Sequence, residues 1–273
     1  MKMVSAAKLK KAQDAVANVK PYAHKVHEIL TNVSSENNEN NQYSEERELR
    51  QVLVVVITSN RGLCGAFNSN AIKEALLMAE NKYSSELASE KIRFMAIGKK
   101  GYDVLRKRKV PIVKFDTNIV DNPLYENVSE IAQALIDEFI TGVYDSIDIV
   151  YNEFVNAATQ KVMTKQFLPL LPIKKSKADR RKQENMSDYY IFEPSREYIH
   201  NEMIPLSLRM MFYEALLDSI ASEHGARMTS MHQATDNASS LMQELTLQYN
   251  KARQSAITNE ILEIVGGAEA LKG

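Results

Sequence analysis

Hydrophobic positions along the 273 residues follow three different rhythms. Near the N-terminus, Met3, Ala6, Ala7, Leu9, Ala12, Val16 and Val19 recur at the spacing of one helix face, and Val26, Ile29, Leu30 and Val33 resume the stripe after Pro21. This predicts a helix over 1–33, kinked rather than ended at Pro21. In the middle, Val52–Thr58 (VLVVVIT) is an unbroken, largely β-branched run, the pattern of a parallel strand covered on both faces. Ile92–Ile97, Val110–Phe115 and Ile147–Val155 read as further strands, with helical spacing at 69–83, 99–108 and 124–142 between them. Strand alternating with helix predicts a Rossmann-like α/β domain, with Val162–Leu171 folding back antiparallel on the strand before it.

The third rhythm runs from Pro205 to Val265, with Gly225 the only interior glycine and Pro205 suited to a first helical turn. As one helix at ~1.5 Å per residue it would span roughly 90 Å, against roughly 50 Å across for a compact globule of the whole chain. Such a helix is expected to project and to need a partner. Alternate steps of three and four residues meet Met210, Tyr213, Leu217, Ile220, His224, Arg227, Met231, Ala234, Ala238, Leu241 and Leu245. A mean step of about 3.5 is the signature of a left-handed coiled coil. Only His224 and Arg227 break the seam, on either side of Gly225. Beyond Leu245 the pattern is patchier, through Tyr249, Ala252, Ala256, Ile257, Ile261 and Ile264, and suits a socket on another protein.

Three segments result: 1–50, a terminal helix and a polar loop of low order over Ser34–Arg50; 51–194, the α/β domain, closing with a short edge strand at Tyr189–Phe192; and 195–273, the long helix. The expected fold class is α/β, a long antiparallel coiled coil of the N- and C-terminal helices with an inserted Rossmann-like domain.

Charge supports that pairing. Residues 1–33 hold six lysines against Asp14 and Glu28, whereas 205–273 hold eight acidic and five basic residues, so the terminal helices attract. The chain as a whole has a net charge of -1, which argues against nucleic acid as a main partner. A single cysteine, Cys64, rules out an intramolecular disulfide framework. No run approaches the length of a membrane span, and MKMVSAAKLKK has no apolar signal region. The basic run Lys174–Lys182 reads as a solvated loop tip, or as a patch near lipid headgroups or an acidic neighbour.

The most enzyme-like stretch is Ser59–Asn68 (SNRGLCGAFN), between a strand and a helix. It lacks both the GxGxxG and the GxxxxGK[ST] pattern of phosphate loops. A Cys64 nucleophile would need a base, and no histidine lies in the α/β domain before His200. A glycine turn and a small buried thiol explain these residues more simply. His24 and His27 lack the neighbours of a metal site, and Glu126, Glu130, Asp137 and Glu138 read as the wet face of one helix. No catalytic, cofactor-binding or metal-binding residue is expected.

Three motifs resemble one family. Met1–Lys8 (MKMVSAAK), Ser59–Asn68 and Ile257–Ala268 (ITNEILEIVGGA), with Gly225–Met228 and Asp236–Ala238, are similar to the gamma subunits of F-type ATP synthases over essentially the whole chain. The resemblance implies a non-catalytic rotor shaft without a cofactor. Its partners would be three alpha and three beta subunits, the epsilon subunit and a membrane ring of c subunits. Its place would be peripheral, on the cytoplasmic face of a bacterial inner membrane. The resemblance further implies that Arg253, Gln254 and Thr258 grip the beta subunits, that Met1 and Lys2 face their lever, that Arg227 supports this contact, and that Glu193 lies toward the ring. Family members begin before the MKMV motif, so a segment upstream of Met1 is expected, and a lone cysteine excludes the chloroplast thiol switch. Competing readings are a thiol enzyme centred on Cys64, which alkylation would inactivate, and a coiled-coil adaptor without effect on nucleotide hydrolysis.

Overall fold

The computed structural model describes residues 2–33, 42–45, 47–83, 91–170 and 196–271. It divides into two compact units, Met1–Thr229 and Ser230–Gly273. In the first, a five-stranded sheet has the order β3-β2-β1-β4-β5. The strands are β1 (Val52–Ile57), β2 (Ile92–Ile97), β3 (Ile112–Asp116), β4 (Ser146–Phe154) and β5 (Gln160–Leu168). β1, β2, β3 and β4 are parallel, and β5 returns antiparallel on β4, as the hairpin pattern predicts.

β1 shows why its sequence is apolar throughout. Leu53, Val55 and Ile57 enter one core with β4, and Val52, Val54 and Val56 enter another on the opposite face. Helices α2 (Phe67–Tyr83) and α3 (Lys99–Lys107) cover the second face through Ile72, Ala75, Met78 and Leu105. The first face is covered by α1 (Lys2–Val33), α5 (Tyr125–Ile140) and the long α6 (Arg196–Ala270). A short α4 (Asn118–Asp121) escapes the hydrophobic pattern; Asp116 Oδ1 opens it by accepting the Asn118 and Ile119 N–H groups.

The terminal helices pair antiparallel within this unit. Leu9, Ala12 and Val26 of α1 share a core with Ile204, Leu208 and Phe212 of α6. Lys20 bridges Asp218 at 3.3 Å, while Lys8 acts on Glu223 and His224, so low numbers on α1 meet high numbers on α6. α1 passes through Pro21, which is exposed, without ending there.

Two expectations are corrected, the place of Pro205 and the order of the loop before β1. Pro205 is not in the first turn of α6 but inside it, because the helix begins at Arg196. The missing N–H costs one backbone bond, which burial of the flanking Ile204 and Leu208 offsets. Beyond its pairing with α1, α6 is covered on its outer face as well, and every residue from Ala215 to Arg227 except His224 is buried. The β4–β5 hairpin covers that face: Ser222 Oγ donates to Asn152 O at 3.0 Å and Thr229 Oγ1 to Ala157 O at 3.0 Å. Gly225 lies where the hairpin comes closest, and a Cβ there would sit 3.3 Å from the Ala157 backbone.

The loop before β1 is also more ordered in its described part than its polarity suggests. Arg47 Nη1 donates to Phe139 O at 2.9 Å with its guanidinium over the Phe139 ring, and Asp145 accepts the Arg50 and Gln51 N–H groups. The expected strand at Tyr189–Phe192 and the basic run Lys174–Lys182 lie outside the described residues.

The second unit is helical to Ala270. Every residue from His232 to Leu271 is exposed, including Leu241, Leu245, Tyr249, Ile257, Ile261 and Ile264. The apolar seam predicted here has no cover among the described residues.

Candidate coupling surfaces

The densest polar site is built on α6 by two residues one turn apart. Glu223 and Arg227 are 6% and 7% exposed and form an ion pair. Arg227 Nη2 donates to Arg61 O at 2.9 Å and to Gly62 O at 3.3 Å, and Nε to Gly62 O at 3.4 Å. A buried guanidinium is tolerated only when its donors are satisfied, and here a carboxylate and two carbonyls satisfy it. Burial pushes the Glu223 carboxyl up, and the adjacent Arg227 pulls it back. His224 Nδ1 lies 3.4 Å from Arg227 Nη1, and burial with the charges of Arg227 and Lys8 pushes the ring down to about 4. His224 is therefore neutral near neutral pH.

Arg227 thus clamps the Ser59–Asn68 turn. The turn is held from within: Ser59 N–H donates to Asn68 Oδ1 at 2.9 Å, Ser59 Oγ to Arg61 O at 2.6 Å, and Asn68 Nδ2 to Ser59 Oγ at 2.7 Å. Leu63 and Gly65 take φ of 65° and 58°, so the chain reverses twice in three residues. Leu63 is exposed at the tip. Asn60 ties the turn sideways, donating to Thr117 O and Asp121 and accepting the Lys99 N–H.

Cys64 is 2% exposed and packs on Phe67 and Ala226. Burial pushes its thiol up, away from the thiolate that a nucleophile needs. The motif is a turn with a buried thiol, as its residues suggest. What sequence reasoning missed is the reason for the turn's order, a guanidinium from a distant helix. The only available signal was the pair of polar residues interrupting the seam beside Gly225.

Lys2 is exposed in the first turn of α1. Arg253, Gln254 and Thr258 are exposed in the second unit, with Gln254 and Thr258 one turn apart. Met1 and Glu193 lie outside the described residues, and the side chains of His24 and His27 are likewise not described. Glu126, Glu130 and Asp137 are exposed as expected, but Glu138 is half-buried and paired with Lys114, because β3 brings that lysine beside α5. Among the described residues no group of three or more His, Cys, Asp or Glu suits a metal ion, and no helix is long and apolar enough to cross a membrane.

Two further buried carboxylates fasten elements. Asp148 on β4 accepts from Lys82 at 2.9 and 3.0 Å and from the Tyr83 hydroxyl, holding the end of α2 to the sheet. Asp218, paired with Lys20, is pushed up to about 6 by burial and by Glu214 and Glu153, with Lys20 opposing.

This fold is shared. The family model described as ATP synthase matches residues 1–271. The ATP synthase gamma chain of Flavobacterium psychrophilum is 54% identical over 275 aligned residues, covering all of this chain and 92% of the relative. This chain belongs to the ATP synthase gamma chain family. The gamma chain of Cytophaga hutchinsonii is 47% identical, covering 99% of this chain and 92% of its own length. Among solved structures, a chain of the central stalk and c-ring of the Tetrahymena thermophila mitochondrial ATP synthase superposes with a TM-score of 0.60 at 26% identity, over 86% of this chain and 97% of that one. A chain of the Euglena gracilis mitochondrial ATP synthase gives 0.61 at 20% identity over 99% and 94%, a likeness of fold. As a gamma-family chain, the protein is one subunit of an ATP synthase, and the mixed α/β domain with its long helix is the family architecture.

Proposed function

We infer that this gamma-family chain works as the central rotor shaft of an F-type ATP synthase, coupling proton flow through a membrane ring to ATP synthesis or hydrolysis at an alpha/beta hexamer without catalysing either reaction itself. The observation that carries this reading is the helix from His232 to Ala270, exposed throughout yet rich in large apolar residues. Such a surface calls for cover by other chains. Three alpha and three beta subunits would supply it, while the α/β domain would meet the epsilon subunit and the ring of c subunits. The complex would then lie peripherally on the cytoplasmic face of a bacterial inner membrane.

Coupling on this reading is differential contact. A shaft with different faces favours a different beta-subunit conformation at each angle, and can shift that equilibrium only by its difference in contact energy. Arg253, Gln254 and Thr258 would form the grip on the beta subunits, Met1 and Lys2 would face the lever, and Glu193 would lie toward the ring. Arg227 would act indirectly, by holding the Ser59–Asn68 turn against α6.

The test is ATP hydrolysis by purified alpha and beta subunits with and without this chain. Stable assembly and hydrolysis only on its addition, both weakened by Arg253→Ala with Gln254→Ala, support the shaft. Binding with no change in hydrolysis would favour an adaptor instead, and inactivation by alkylating Cys64 in the intact fold would favour an enzyme.

A further inference from the structure

α3 and the turn that leads from it to the edge strand β3 carry a positive charge that the rest of the fold leaves unused. Lys99, Lys100, Arg106, Lys107, Arg108 and Lys109 stand against a single acid, Asp103, in a chain of net charge -1. Lys100 is half-buried and the other five cations are exposed. Among the described residues none of the six enters an ion pair.

Helix stability does not account for this pattern. The helix dipole favours cations in the last turn, but Lys99 and Lys100 occupy the first, where cations are disfavoured. At the other end, four consecutive cations gather like charge within a single turn. Lys109 adds a backbone cost. α3 closes in a Schellman motif, with Lys109 N–H donating to Arg106 O at 3.0 Å and Val110 N–H to Leu105 O at 3.2 Å. That places Lys109 at φ 58°, a position that ordinarily takes glycine. A fourth cation stands where the backbone favours no side chain at all.

Between the charged ends the surface is apolar. Val113 and Phe115 are 38% and 44% exposed, and Phe115 stacks on Tyr102 with ring centroids 4.2 Å apart. Among the described residues β3 is the outermost strand and bonds only β2, so nothing described there pairs with its other edge, whose backbone groups can take a further strand.

We propose that the β3–α3 edge is a docking surface for an acidic, extended protein segment of another chain, which adds alongside β3 and sets its carboxylates against the cations of α3. Charge complementarity selects an acidic partner. The layout selects a protein segment over a lipid surface: cations at both ends of the helix, aromatic contact between them and an open strand edge form a strip that an alternating acidic and apolar segment matches on every count. A lipid surface would leave the strand edge unpaired.

The test uses the full chain and a short fluorescent peptide alternating Glu with Val and Tyr, followed by anisotropy. Saturable binding that weakens with added salt is expected, and it falls at least about tenfold when Arg106, Lys107 and Arg108 are all changed to Gln, at up to about fivefold per exposed pair. N-methylation of alternate peptide amides removes the strand contact and is expected to abolish binding. Lys109→Gly separates charge from stability: affinity falls about threefold while the thermal midpoint holds or rises, the reverse of what a stabilising residue would show. Affinity unchanged in the triple variant, a lowered midpoint for Lys109→Gly, or binding to phosphatidylserine-containing vesicles without binding to the peptide would each overturn the proposal. No alpha or beta subunit takes part, so failure here leaves the rotor reading untouched.

Discussion

Two stretches of α6 carry much the same apolar spacing and meet opposite fates. From Ala215 to Arg227 the helix is buried on nearly all sides, between α1 and the β4–β5 hairpin. From His232 to Ala270 it is exposed throughout. Periodicity therefore reports that a face needs cover, and says nothing about whether the cover comes from the same chain. The difference is made by small and polar residues: Ser219, Ser222, Gly225 and Ala226 let a hairpin and a turn approach, and Glu223 with Arg227 neutralise each other there.

The comparison breaks most visibly under core truncation. Leu216→Ala, at a fully buried side chain, is expected to cost about 2–5 kcal/mol in urea unfolding of the isolated chain, whereas Leu245→Ala changes it by less than about 0.5 kcal/mol. Equal losses at the two positions would mean that the exposed stretch is covered after all.

Arg227→Ala is next. It leaves Glu223 buried without its partner and is expected to cost about 3 kcal/mol, while Glu223→Gln with Arg227→Met costs less than either change summed with the other. Hydrogen exchange of the Arg61–Gly65 amides would rise in Arg227→Ala, and unchanged protection would show that the turn stands without its clamp.

The pH dependence sharpens the buried stretch further, because two groups act in opposite directions. Asp218 has its folded value raised from 3.8 to about 6, so the folded state holds the proton longer and stability from this group falls as pH rises through that window. His224 has its folded value lowered from 6.5 to about 4, so its contribution is present above 6.5 and is lost as pH falls toward 4. The wild-type chain is expected to show a shallow slope between pH 4 and 6.5, Asp218→Asn a stability that drops on acidification, and His224→Gln one that rises. Denaturant midpoints across the range read all three.

The smallest effect is expected at Cys64. Its buried, raised thiol should alkylate slowly in the folded chain and completely in urea, with no change in the fold before reagent enters. Fast labelling of the native chain would place the turn outside the clamp.

Much of this was legible residue by residue. The Val52–Thr58 run declared a strand covered on both faces, and two cores do cover it. The opposite charges of the terminal helices declared their pairing, which Lys20 and Asp218 realise. The Ser59–Asn68 motif declared a turn with a buried thiol. What stayed hidden depended on partners far along the chain. Arg227 binds carbonyls 165 and 166 residues away, and no local pattern encodes that distance. Pro205 misled for a related reason, since a proline reads as a helix start unless packing against other elements carries the helix past it.

By itself the sequence determined the five strands and the longer helices among the described residues, that the two ends pair, and that the last forty residues or so carry a surface in need of cover, because periodicity and charge are local properties of the chain. Only the tertiary structure decided which stretch of α6 is enclosed, that Glu223 and Arg227 could be buried, and that the turn after β1 would be their partner. Those outcomes depend on desolvating charge, and a buried charge is stable only where distant backbone arrives to satisfy it.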